Sequence, residues 1–148
     1  MTKAIFFAAA LMVMAAPAWA QTSAAGAAQA QDPLFAEMGG KAGIDRLVDA
    51  SVDLYLSDPR IKAIFGESNM ERVRAELKDQ FCMIAGGPCT YTGHNMEITH
   101  RGLHLTEANF NALVEDLQDA MDRCAIAFSV QNRFLARLAP MEHQVVTR

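Results

Sequence analysis

A chain of 148 residues is long enough to bury one core without a dense disulfide framework, so one ordinary domain is expected. Its formal net charge of -4, from 17 acidic and 13 basic side chains, excludes the phosphate-neutralising surface of a nucleic-acid binder. It equally excludes a polybasic face for anionic lipid.

Residues 1–20 are built unlike the rest. Lys3 gives a positive start, residues 4–16 are an almost unbroken apolar run, and Ala18-Trp19-Ala20 offers the small-x-small pattern at which export signals are cut. The expectation is a signal peptide over 1–20 and a periplasmic or secreted protein. The apolar run is shorter than the roughly 20 residues that cross a bilayer, so no stable membrane span is expected after cleavage. Residues 21–32, QTSAAGAAQAQD, have little to bury and are expected to form a flexible leader. The domain is placed over 33–148.

Beyond residue 33 apolar residues recur at helical spacing and no strand-like alternation persists, which predicts an all-α fold. Ile44, Leu47, Val48, Val52 and Tyr55 form one stripe, and Asp58-Pro59 ends that helix, because the residue before proline avoids the helical region. A short turn is expected over 61–65. Ser68-Asn69-Met70-Glu71 fits a capping box with Ser68 as the cap. The helix it opens carries Met70, Val73, Leu77, Phe81 and Ile84 on one face and stops at Gly86-Gly87-Pro88.

A short element is expected over 96–102. Thr106 then caps a long helix with Glu107 in its first turn, where negative charge suits the helix dipole, and Phe110, Leu113, Leu117, Met121 and Cys124 make its buried stripe. The last helix is expected to start near Ser129, to use Phe134, Leu135 and Leu138, and to be bent or interrupted at Pro140. Of the three cysteines, Cys82 and Cys89 flank Gly86-Gly87, where a chain reversal brings them into bridging range. The alternative keeps Cys82 and Cys124 as small buried hydrophobes.

None of His94, His100, His104 and His143 belongs to a Cys-x-x-Cys-His sequence, which leaves covalent c-type heme attachment unsupported. A His-Glu-x-x-His zinc pattern is lacking too. Met96 and His100 stand four apart, on one face of a short helix, with Ile98 and Leu103 nearby. This frame suits a single axial imidazole, and equally an ordinary packed histidine.

Several segments, in order, resemble the group I truncated hemoglobins: LFAEMGG (34–40), LSDPRIKAIF (56–65), NMERVRAELKDQFCMIAGGPCTYTG (69–93), MEITHRGL (96–103) and LTEANFNALVEDL (105–117). The resemblance implies a truncated globin, a two-over-two helical sandwich around heme b, with His100 as the proximal iron ligand and Met96 one turn before it. It implies Phe65 against the porphyrin and Phe81 bordering a gas tunnel. The double glycines would let short helices turn sharply around the cofactor. Where most members carry a distal tyrosine and glutamine, the matching positions here are Val52, Val73 and Leu77, all apolar, with Tyr55 and Gln80 as alternative donors. His94 and Arg101 flank the proximal segment and could meet the heme propionates.

A b-type heme protein that binds oxygen, nitric oxide or carbon monoxide, as carrier, scavenger or sensor, is therefore expected, as a monomer or weak dimer. Two alternatives stay open: a nitric oxide dioxygenase, which needs a reductase partner, and a heme-free helical interaction module.

Overall fold

The structure, a computed structural model, describes residues 33–147. The export signal expected over 1–20 and the leader over 21–32 lie outside the described residues. Every regular element described is helical: α1 (Pro33–Glu37), α2 (Gly40–Ser57), a 3-10 turn (Lys62–Phe65), α3 (Met70–Ile84), α4 (Met96–His100), α5 (Glu107–Arg123), α6 (Phe128–Leu138), a second 3-10 turn (Ala139–Met141) and α7 (Glu142–Val145).

Four longer helices build the domain. α2 packs on both α3 and α5, while α6 closes against α3 and α1. The apolar stripe of α2 explains this central place: Ile44, Leu47, Val48 and Val52 are wholly buried, and Tyr55 nearly so. α2 ends at Ser57, with Asp58 in extended conformation before Pro59, as the proline demands. From α6, Phe134 is wholly buried and meets Phe81 of α3 edge-on, with centroids 5.1 Å apart, a favoured aromatic geometry. Arg74 and Lys78 of α3 pair with Asp49 of α2, and Arg74 also reaches Asp53. These half-exposed pairs contribute at most about 1 kcal/mol each.

Two glycines are needed where the chain turns tightly. Gly39 sits at φ +86°, a region costly for any residue with a Cβ. A Cβ on Gly87 would lie 2.5 Å from the Phe35 ring and 2.7 Å from Cys82 Sγ, so only glycine lets α1 close over the end of α3. The reversal also brings Cys82 and Cys89 together as a disulfide, with a Cα–Cα distance of 5.8 Å. Cys124 is free and half-buried.

Two local expectations need correction. Asn69 caps α3, its side chain accepting from Arg72 N at 3.1 Å; Ser68 lies one residue too early for its hydroxyl to reach the first free N–H groups. α5 is rotated from its predicted stripe: Ala112, Asp116, Leu117, Ala120 and Met121 are buried, whereas Phe110, Leu113 and Cys124 are only half-buried. Small alanines let α2 approach that face, and the larger Phe110 and Leu113 turn toward a cavity. α6 begins at Phe128, next to the expected Ser129, and gives way to the 3-10 turn containing Pro140, as expected. The Thr106 cap is as expected, with Asn109 as its reciprocal partner: Asn109 N donates to Thr106 Oγ1 at 3.2 Å, and Thr106 N to Asn109 Oδ1 at 3.1 Å.

Candidate functional site

Between these helices lies a cavity of about 410 Å³, a size that suits a cofactor or small molecule. Tyr55 reaches it from the end of α2, and Ile64 and Phe65 from the first 3-10 turn. α3 contributes Val73, Glu76, Leu77, Gln80 and Phe81; α4 contributes Met96, Thr99 and His100. Phe110, Leu113 and Leu117 of α5 and Leu135 and Leu138 of α6 complete the apolar wall. Such a lining excludes water and strengthens any polar or metal-ligand contact made inside it.

Among the described residues, His100 is the one imidazole in that wall. Its Nδ1 lies 2.7 Å from the Met96 carbonyl oxygen. A carbonyl only accepts, so Nδ1 carries the proton and donates, and Nε2 keeps its lone pair. This is the tautomer that a metal-binding imidazole needs, held by the contact to a backbone oxygen that commonly orients such ligands. The helix beneath it is set by Asn95, whose side chain accepts from Ile98 N at 2.8 Å. Tyr91, also on the cavity, donates its hydroxyl to the His94 carbonyl at 2.6 Å and steadies the loop into α4.

Met96 also ties two helices together, since Gln80 Nε2 donates to its sulfur at 3.3 Å and so pins α3 to α4 across the cavity. Phe65 stacks on Tyr55, with centroids 5.9 Å apart and planes 5° from parallel. Burial pushes the Tyr55 phenol well above its usual range, the neighbouring Ser51 hydroxyl opposing this and the Asp116 carboxylate adding to it. Tyr91 is raised likewise, chiefly by burial, with Glu76 adding and Arg72 opposing.

Of the residues singled out in the sequence, His100, Phe65, Met96, Val73, Leu77, Phe81 and Tyr55 meet in this wall, as does Gln80. Val52 does not line it; one turn before Tyr55 on α2, it is wholly covered by core side chains. Neither His94 nor Arg101 borders the cavity. Arg101 is exposed and 3.9 Å from Glu97. Sequence reasoning passed over Glu76 and Tyr91. Glu76 stands three residues after Val73, on the same helical face, a spacing that could have found it; nothing local marks Tyr91, which a loop delivers.

The profile of the bacterial-like globins matches residues 33–147. The chain belongs to that family. Among relatives, this globin is 31% identical over 97 residues to the group 1 truncated hemoglobin of Tetrahymena thermophila, covering 66% of this chain and 80% of that one. It is 25% identical over 114 residues to a group 1 truncated hemoglobin of Mycolicibacterium paratuberculosis, covering 77% and 84%. In structure it resembles the truncated hemoglobin of Tetrahymena pyriformis in its Fe(III) form, with TM-score 0.75 at 23% identity over 78% of this chain and 98% of that one. The 2/2 hemoglobin of a Synechococcus species, solved with covalently attached heme, superposes with TM-score 0.72 at 23% identity, over the same shares. The fold is thus the two-over-two truncated globin sandwich.

Proposed function

We propose that this globin binds heme b in the cavity through His100 and takes up a diatomic gas as carrier, scavenger or sensor, in the periplasm or outside the cell. The observation that carries the reading is the His100 tautomer: Nδ1 donates to the Met96 carbonyl and Nε2 presents a neutral lone pair in an apolar wall. The residues fit the group, since a flat macrocycle needs a greasy slot and its iron a neutral nitrogen donor. Bound heme would supply an iron centre able to take up a small ligand, with an affinity tuned by the protein groups around it.

The protein's part is to hold and to exclude. Met96 orients the imidazole through its carbonyl and ties Gln80 through its sulfur. Phe65 offers a flat aromatic face, backed by Tyr55. Val73 and Leu77 present apolar side chains on the α3 side of the cavity, where the Gln80 amide donates to the Met96 sulfur. A donor hydrogen bond to a bound gas would raise oxygen affinity, so an apolar face favours carbon monoxide and nitric oxide over oxygen. The dioxygenase alternative, which depends on stable oxygen, gains nothing from these side chains.

The test adds hemin to the purified protein and compares ferric, ferrous and carbon-monoxide absorption spectra with those of His100→Ala. A histidine-ligated spectrum in the wild type that the variant loses supports both the cofactor and the ligand. Equal hemin binding by the two removes His100 from the role and moves the helical interaction module to the front.

A further inference from the structure

His100 ends α4, and its Nδ1 uses the carbonyl of that helix's first residue, Met96. Gln80 holds only the Met96 side chain, through the sulfur. Where the carbonyl points therefore depends on how the first turn of α4 is set on the loop before it. A helix of five residues makes too few internal bonds to fix that turn alone.

The loop is fixed by an aromatic side chain. Tyr91 borders the cavity, and its hydroxyl donates to the His94 carbonyl at 2.6 Å. Gly93 makes room for it: a Cβ there would lie 2.4 Å from the Tyr91 hydroxyl oxygen and 2.5 Å from the ring carbon that bears it. A hydrogen bond and a missing side chain thus hold the far end of Tyr91 in one place. From His94 the bonds run on into α4. Thr99 Oγ1 lies 3.5 Å from the same carbonyl and donates to the Asn95 carbonyl at 2.9 Å, while the Asn95 side chain accepts from Ile98 N at 2.8 Å. The next residue is Met96.

We infer that Tyr91 is a positioning residue for His100: by holding the His94 carbonyl it sets the first turn of α4, and with it the Met96 carbonyl that keeps the His100 proton on Nδ1. Tyr91 acts through the backbone of 94–96, so its ring and its hydroxyl have separate parts, the ring seated on Gly93 and the hydroxyl aiming the turn. The consequence for an iron ligand rests on the heme reading proposed above; the link from Tyr91 to the His100 ring does not.

Two variants separate this role from simple support. Tyr91→Phe keeps the ring and loses the hydroxyl, whereas Gly93→Ala keeps the hydroxyl and pushes it off its seat. Nitrogen NMR of the imidazoles, in the full chain without added hemin, reads directly which ring nitrogen carries the proton. In the wild type His100 is expected to show a protonated Nδ1 and a bare Nε2. Both variants should move its signals the same way, toward the exchanging mixture of a free imidazole, and the double variant no further. With hemin added, the ferrous iron–histidine stretch should fall in both variants, because a weaker bond at Nδ1 leaves Nε2 less basic. Hemin affinity should drop about tenfold, the low end for groups behind a metal ligand. His100 signals equal in wild type and Tyr91→Phe overturn the role even if the melting midpoint falls, and so does a wild-type ring without the Nδ1 proton. Should Tyr91→Phe fail to fold, Gly93→Ala decides alone. If hemin binds no better to the wild type than to His100→Ala, the heme reading fails and the NMR comparison still decides the positioning.

Discussion

The seam between α2 and α5 and the wall formed by α4 are held by different physics. In the seam, Leu47, Val48, Leu117 and Ala120 are 0% or 1% exposed, and apolar burial at roughly 25 cal/mol per Å² supplies its stability. α4 is five residues long and buries one side chain, Met96. It is held instead by directed bonds: the Asn95 cap, the Tyr91 hydroxyl on the His94 carbonyl, and Thr99 Oγ1 on the Asn95 carbonyl at 2.9 Å. Behind it, α7 packs on α4, while Leu105 N donates to Thr147 Oγ1 and Thr147 N to the Leu105 carbonyl. A helix this short is not stable alone. The core is thus held by the burial of its own apolar side chains, whereas the wall that carries His100 is positioned mainly by directed hydrogen bonds and by α7 behind it.

The sharpest test of this contrast is Phe134→Ala in the core. Loss of a wholly buried ring should cost about 3–5 kcal/mol, seen as a lower denaturant midpoint; a cost under about 1 kcal/mol would mean the core is not what holds the fold. Gly87→Ala should cost about 1–3 kcal/mol, because the new methyl meets Phe35 and Cys82. An unchanged midpoint there would say that α1 does not close on α3 as described. Asn95→Ala should remove about 1 kcal/mol from α4 locally. Amide exchange should then quicken over 96–100 with global unfolding nearly unmoved, and equal loss of protection across α2 and α5 would erase the distinction between the two regions.

Much of the fold was legible because helical periodicity and its punctuation are local. The α2 stripe, the stop before Pro59 and the Thr106 cap all follow from neighbours a turn apart. At the α3 cap the capping-box pattern pointed to Ser68, and the backbone geometry put Asn69 there instead. His100 was singled out by the family resemblance, since its spacing from Met96 suits an ordinary packed histidine equally, and the structure adds a reason for that spacing: four residues put the Met96 carbonyl under Nδ1.

By itself, the sequence determined an all-helical domain after residue 33, the order of its helices, and the apolar side chains from which its walls are made. Tertiary structure alone decided that α5 turns Asp116 inward and Phe110 toward the cavity, that Val52 is sealed in the core while Tyr55 reaches the site, and that Cys82 pairs with Cys89. The reason is physical. Periodicity fixes which residues share a helical face to within one turn, but whether that face meets core, cavity or solvent depends on the partner helix and on how closely its side chains let it approach.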